Sequence, residues 1–172
     1  MSDKKALVVI DMQNDYLWSS RKKMFSYNTA ELVSSVNSLV HEYSGQGNDV
    51  IYIGQVFPNI ITNKWFIGFS IKGTTGAEIY PDVDIVSDYY FEKNLPDSFT
   101  AREFREFMAE KQYTEITVCG LDLCGCVGAT AKGAVKTGAR VKLSLMATGC
   151  RFDKEKAEKM KSTLKAMGVE IV

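Results

Sequence analysis

Four cysteines and one histidine bound the chemistry open to this 172-residue chain. Cys119, Cys124 and Cys126 cluster at the end of an apolar run and in the Gly-containing turn after it, and Cys150 stands apart. A thiol nucleophile needs a proton acceptor, ordinarily a histidine. His41 falls in the middle of a helical pattern, off the apolar stripe formed by Leu32, Val33, Val36, Leu39, Val40 and Tyr43, and far from any strand end. The acceptor is then a carboxylate, and Asp11, directly after the apolar run Ala6–Ile10, is the best placed. Lys93 lies between the apolar neighbours Phe91 and Leu95. A partly desolvated lysine there would hold a thiolate and a carboxylate together by charge. There is no CxxC pair, and one histidine does not make a zinc site of the usual spacing. Neither a metal nor a cofactor is expected.

These residues need a scaffold, and the periodicity supplies one. Ala6–Ile10 reads as a strand covered on both faces. Asn28 opens a helix with Glu31 as its capping-box partner, and Gly45 and Gly47 end it. Val50–Ile53 is the second strand. Residues 54–87 are rich in aromatics, Gly and Thr without a clear period, which suits a binding loop. Ser87–Phe91 is the third strand, ending near Lys93. Thr100 and Glu103 form a second capping box, opening a helix with Phe104, Phe107 and Met108 on one side. Ile116–Cys119 is the fourth strand. A small-residue helix runs from about Cys126 to Thr137 and stops at Gly138. Val141–Leu145 is the fifth strand. Asp153 caps a last helix that Gly168 terminates, and Val169–Val172 forms the sixth strand. Strands alternating with helices predict an α/β fold: a single-domain (residues 1–172) doubly wound, Rossmann-like sheet of about six mainly parallel strands with helices on both faces.

The totals agree with a soluble domain. Apolar residues make up 45% and charged residues 24%, and the formal net charge is zero. That balance argues against a nucleic-acid binder, which carries a basic excess. No stretch approaches a membrane span, and the N-terminal apolar run is too short for a signal peptide. A cytoplasmic protein with reduced thiols is expected.

In open parallel sheets, sites lie beyond the carboxyl ends of the strands, where strand order reverses. If the first and fourth strands are neighbours, Asp11 faces the turn Gly120–Val127. Cys126 begins the next helix, where unpaired N–H groups and the helix dipole favour a thiolate and can hold an oxyanion. Each residue also has a plainer reading. Asp11 can cap a loop, Cys126 can be a packing residue, and Lys93 can be a surface lysine. Cys119 and Cys150 read as structural. Cys124 either lines a pocket or serves as an oxidation partner for Cys126. Trp18, Phe57, Trp65, Phe66 and Phe69 either wall a substrate pocket or belong to core or interface. Gln13 either orients a substrate amide or braces its loop.

Four segments carry a family resemblance over nearly the whole length: Leu7-Val8-Val9-Ile10-Asp11-Met12-Gln13-Asn14-Asp15, Gly76-Ala77-Glu78-Ile79, Lys93-Asn94-Leu95-Pro96-Asp97-Ser98-Phe99, and Cys119-Gly120-Leu121 through Cys126-Val127-Gly128-Ala129-Thr130-Ala131. In order and spacing they resemble the isochorismatase-like cysteine hydrolases. The resemblance implies a triad of Asp11, Lys93 and Cys126, and it selects Cys126 over Cys124 as the nucleophile. It also implies a cis peptide between Leu121 and Asp122, which would turn the Asp122 N–H towards an oxyanion site beside that of Cys126. Nicotinamidase-type members bind a metal through Asp and His residues after the second strand. Here Gln55-Val56-Phe57-Pro58-Asn59 has neither, so no metal is implied and nicotinamide recedes as a substrate. Cys124-Gly125 replaces an Asp and an aromatic residue found in many members. The implied activity is hydrolysis of a small carboxamide or ureido C–N bond through a Cys126 thioester, by a homo-oligomer acting on a small molecule. The alternatives are vinyl ether hydrolysis with Asp11 as acid, or a non-catalytic binding or scaffold role.

Overall fold

The computed structural model describes residues 3–172. Its centre is a six-stranded, all-parallel sheet in the order β3-β2-β1-β4-β5-β6. The strands are β1 Lys5–Ile10, β2 Asp49–Gln55, β3 Tyr90–Lys93, β4 Glu115–Gly120, β5 Arg140–Thr148 and β6 Glu170–Ile171. The helices are α1 Asn14–Leu17, α2 Thr29–Gly45, α3 Ile61–Phe66, α4 Arg102–Lys111, α5 Cys126–Val135 and α6 Lys154–Ala166. No helix is long and apolar enough to cross a membrane among the described residues.

The unbroken apolar run of β1 follows from its central position. Successive side chains point to opposite faces of the sheet. Ala6, Val8 and Ile10 join one core with Phe104 and Met108 of α4, Val127 and Ala131 of α5 and Leu164 of α6. Leu7 and Val9 join the other with Val33, Val36 and Val40 of α2. The chain winds outward in both directions from β1, so the crevice between β1 and β4 is the switch point of the sheet.

Several boundaries depart from the periodicity. The third strand lies later than Ser87–Phe91, and Lys93 is its last residue rather than one just beyond it. Ser87–Tyr89 approach β2 first, through the Ser87 hydroxyl on the Val50 carbonyl and the Tyr52 N–H on the Tyr89 carbonyl. Thr100 and Glu103 do not box the start of α4. Ala101 is the N-cap and supplies no side-chain bond. Asp97 instead caps a 3-10 turn at Ser98–Thr100, accepting from the Phe99 N–H at 3.0 Å, and the Thr100 hydroxyl turns back to the Asp97 carbonyl. The predicted caps at Asn28 and Asp153 are present.

The aperiodic stretch 54–87 is ordered by polar contacts from the loop after β1. Gln13 Nε2 donates to the Ala77 carbonyl at 2.7 Å, Asn14 Nδ2 to the Thr75 carbonyl at 2.7 Å, and the Ser70 N–H donates to Asp15 Oδ2 at 2.7 Å. Gly76 packs against the Asp15 carboxylate so closely that a Cβ would overlap it.

Candidate active site

Four adjacent strands each deliver one polar side chain to the crevice. Asp11 follows β1 with φ at 55°, a left-handed conformation uncommon outside glycine that Asp tolerates better than most residues. Such backbone strain concentrates at functional sites. Lys93 ends β3 and is 3% exposed. Its ammonium donates to Asp11 Oδ2 at 3.0 Å and to Gln55 Oε1 at 2.6 Å. Cys126 begins α5, and its sulfur lies 3.8 Å from the same Gln55 oxygen. Asp11 and Lys93 both act on Cys126 through charge. Asp11 Oδ1 is buried and has no hydrogen-bond partner among the described residues.

Gly120 makes this approach possible. It ends β4 at φ 106°, and a Cβ there would overlap the Ile10 backbone. The next peptide, Leu121–Asp122, is cis. The N–H groups of Asp122 and Cys126 donate to no protein acceptor among the described residues.

The electrostatics correct one expectation. The start of α5 does not make Cys126 a resting thiolate. Burial pushes its pKa up to about 12, the Asp11 carboxylate pushes the same way, and Lys93 pulls only partly back. Burial likewise works against the Lys93 ammonium, but Asp11 and Cys126 override it and raise its pKa. The resting site is therefore a neutral thiol beside an Asp–Lys ion pair.

Asp11, Gln55 and Cys126 line a cavity of about 270 Å³, which suits a small ligand, and Lys93 supports them from outside its lining through Asp11 and Gln55. Phe25, Phe57 and Phe69 build its aromatic wall, with edge-to-face contacts at centroid distances of 5.2 and 6.0 Å. Cys124, Arg151 and Phe152 also line the cavity. The Arg151 guanidinium lies 4.6 Å from the Phe152 ring centre and has no acidic partner among the described residues.

Other predicted site residues lie elsewhere. Gln13 is fully buried, but its amide is spent on the backbone. It donates to the Gln55 and Ala77 carbonyls and accepts from the Gln55 N–H at 2.8 Å. It braces Gln55 rather than facing the cavity. Trp18 caps the short α1, half-buried, and is not among the residues lining the cavity. Trp65 is 82% exposed and Phe66 87%, because α3 buries none of its residues. His41 is on the surface, paired with Asp84 at 2.8 Å. Gln55 was not singled out from the sequence for the site itself. Strand-end reasoning applied to β2 would have reached it.

At the end of β2 the residues do not fit a metal. The Gln55 amide oxygen is committed to Lys93, and Val56, Phe57 and Pro58 follow.

The molecule is thus a doubly wound α/β protein with a cysteine, a carboxylate and a lysine gathered at its switch point. Residues 5–172 match the model of the isochorismatase domain, and the chain belongs to that family of hydrolases. It is 28% identical over 134 residues to the isochorismatase family protein YddQ of Bacillus subtilis (strain 168), covering 77% of this chain and 71% of that protein. The fold is similar to the pyrazinamidase of Pyrococcus horikoshii in complex with zinc, with a TM-score of 0.84, 21% identity and 98% of each chain covered. It is also similar to the N-carbamoylsarcosine amidase of Thermoplasma acidophilum, with a TM-score of 0.81, 21% identity and 98% and 95% covered.

Proposed function

We propose that this chain is a cysteine hydrolase that cleaves a C–N bond in a small carboxamide or ureido compound. The observation that carries the reading is the buried convergence of Asp11, Lys93 and Cys126, with the unpartnered Asp11 Oδ1 as proton acceptor. Asp11 takes the proton of the Cys126 thiol as the sulfur attacks the carbonyl carbon. The N–H groups of Cys126 and Asp122 hold the resulting oxyanion. Asp11 then gives the proton to the leaving nitrogen, the C–N bond breaks, and a Cys126 thioester remains. Asp11 next draws a proton from water as the water oxygen attacks the thioester carbon; the C–S bond breaks, Asp11 returns the proton to the Cys126 sulfur, and the acid is released. Lys93 holds the Asp11 carboxylate in place, and Gln55 fixes the lysine.

Arg151 adds a substrate feature. A cation in the cavity lining, without an acidic partner among the described residues, suits a substrate that carries its own anionic group, such as a ureido acid. The pairing of Asp11 with Lys93 favours base chemistry over the alternative in which Asp11 serves as acid towards a vinyl ether. The exposed apolar residues Ile61, Trp65 and Phe66 of α3 suit contact with a second copy of the chain.

Intact-mass measurement after exposure to a panel of small amides and ureido acids tests the reading. An acyl adduct on the native protein, absent from Cys126→Ala and stronger with anionic members of the panel, is expected. Turnover of a panel member that survives Cys126→Ala would refute it.

A further inference from the structure

We propose that Cys124 and Cys150 are a modification site: a thiol pair that peroxides oxidise to a disulfide, joining the turn that presents Cys126 to the loop after β5. This inference does not depend on the hydrolase reading. The two sulfurs lie 3.9 Å apart, in contact, although the residues come from different loops. Both thiols are half-buried, and neither belongs to the Asp11–Lys93–Cys126 cluster.

The backbones around the pair are already tied together. The Asp122 carboxylate accepts from the Cys124 N–H at 2.8 Å and from the Arg151 N–H at 2.7 Å. The Tyr27 hydroxyl adds a third donor at 3.0 Å, and the Leu123 N–H reaches the Gly149 carbonyl at 2.9 Å. Bonding distance is about 2.05 Å. With the loops held this way, side-chain movement does most of the closing.

Cys124 lines the cavity, so a molecule as small as hydrogen peroxide reaches it. Its thiolate attacks one peroxide oxygen, the O–O bond breaks, and hydroxide leaves a sulfenic acid. The Cys150 sulfur then attacks that sulfur, its proton goes to the departing oxygen, and water is lost. Overall two thiols and one peroxide give one disulfide and two waters. Burial, and next Cys150, push the Cys124 thiol up to about 12; Asp122 adds to this and Lys156 opposes it. The reaction is correspondingly slow at neutral pH.

Two other fates are disfavoured. Cys126 points instead towards Gln55, Asp11 and Lys93. A metal could draw on Asp122, Cys124 and Cys150, whose ligand atoms lie within 4.8 Å of one another. However, Asp122 already holds three donors, and Lys156 acts on Cys124 as a neighbouring positive charge.

The test treats the full chain with graded hydrogen peroxide and maps its cysteines by mass spectrometry, alongside a Tm measurement. A loss of two hydrogens, a peptide linking Cys124 to Cys150, and a Tm gain of about 5–10 °C reversed by dithiothreitol are expected. Cys150→Ser should show neither linkage nor Tm gain and should accumulate a dimedone-reactive sulfenic acid at Cys124. A linkage of Cys124 to Cys126 would overturn the proposal. So would over-oxidation of Cys126 with Cys124 and Cys150 still unlinked. One equivalent of zinc held by the reduced native protein and lost in Cys150→Ser would replace the proposal with a metal site.

Discussion

Asp11 has opposite effects on the two groups beside it. Its charge keeps Lys93 cationic and helps keep Cys126 protonated. Asp11→Asn removes that charge while leaving the shape nearly unchanged. The thiol pKa is then expected to fall below about 12, because a like charge is gone and Lys93 remains. Titration of the thiolate absorbance near 240 nm, with Cys126→Ala as reference, measures this. Turnover on any confirmed substrate should nevertheless drop roughly 10³-fold, since the proton acceptor is lost. A merely structural Asp11 would not separate the two readouts in this way. Asp11 was read from its place where an apolar run meets a turn, whereas strand-end logic led only to the turn after β4 and the family resemblance selected Cys126 over Cys124 within it. Gln55 ends β2 and was within reach of the same strand-end logic, but its role shows only in its contact with Lys93. Cys150 was read as structural because it has no partner in sequence, and the thiol of Cys124 lies 3.9 Å from it in space.

At the level of elements, the β4–β5 pair depends on a charge that the strand pattern does not reveal. Glu115 begins β4 almost fully buried, facing Arg140 and Lys142 of β5, with Lys142 at 3.1 Å. Burial works to raise its pKa, but the Lys142 and Arg140 charges override that and hold it below the usual carboxylate range. A folded pKa below the unfolded one contributes stability that is complete above the ordinary range and is lost as the pH falls through the folded value. Glu115→Gln should therefore cost about 1 kcal/mol at neutral pH, discounted for the exposure of Arg140. Urea unfolding at several pH values should show the difference from the native protein vanishing in strong acid. The six strands were readable from apolar runs and alternation. The segment 54–87 was not, since side chains bonding to backbone carbonyls organise it and leave no repeating pattern.

At the scale of the whole molecule, the aromatic residues divide between a cavity wall and an outer face. Composition alone could not make that division: Phe57 and Phe69 line the cavity, whereas Trp65 and Phe66 stand in solvent on α3. If that face seats a second copy, light scattering coupled to size exclusion should give a multiple of the 19.2 kDa chain mass for the native protein. Trp65→Glu should reduce it to the single-chain value while leaving Cys126 reactivity in place. A single-chain mass for the native protein at tens of micromolar would rule the contact out.

The row Lys93, Gln55, Asp11 and Cys126 crosses β3, β2, β1 and β4 in their order in the sheet, with Cys126 carried on the turn beyond β4. The sheet thus acts as a ruler. Neighbouring strands stand about 4.8 Å apart, and side chains alternate faces at every residue. Lys93 and Gln55 are register partners on β3 and β2, so those two strands must agree in parity before their side chains meet, while Asp11 and Cys126 depend on the length of chain just beyond β1 and β4. Substitutions elsewhere on the strands leave that agreement untouched, whereas gaining or losing one residue near a strand end sends a whole side chain to the wrong side of the sheet. In a lineage carrying this site, strand-end length is expected to be held more tightly than strand composition.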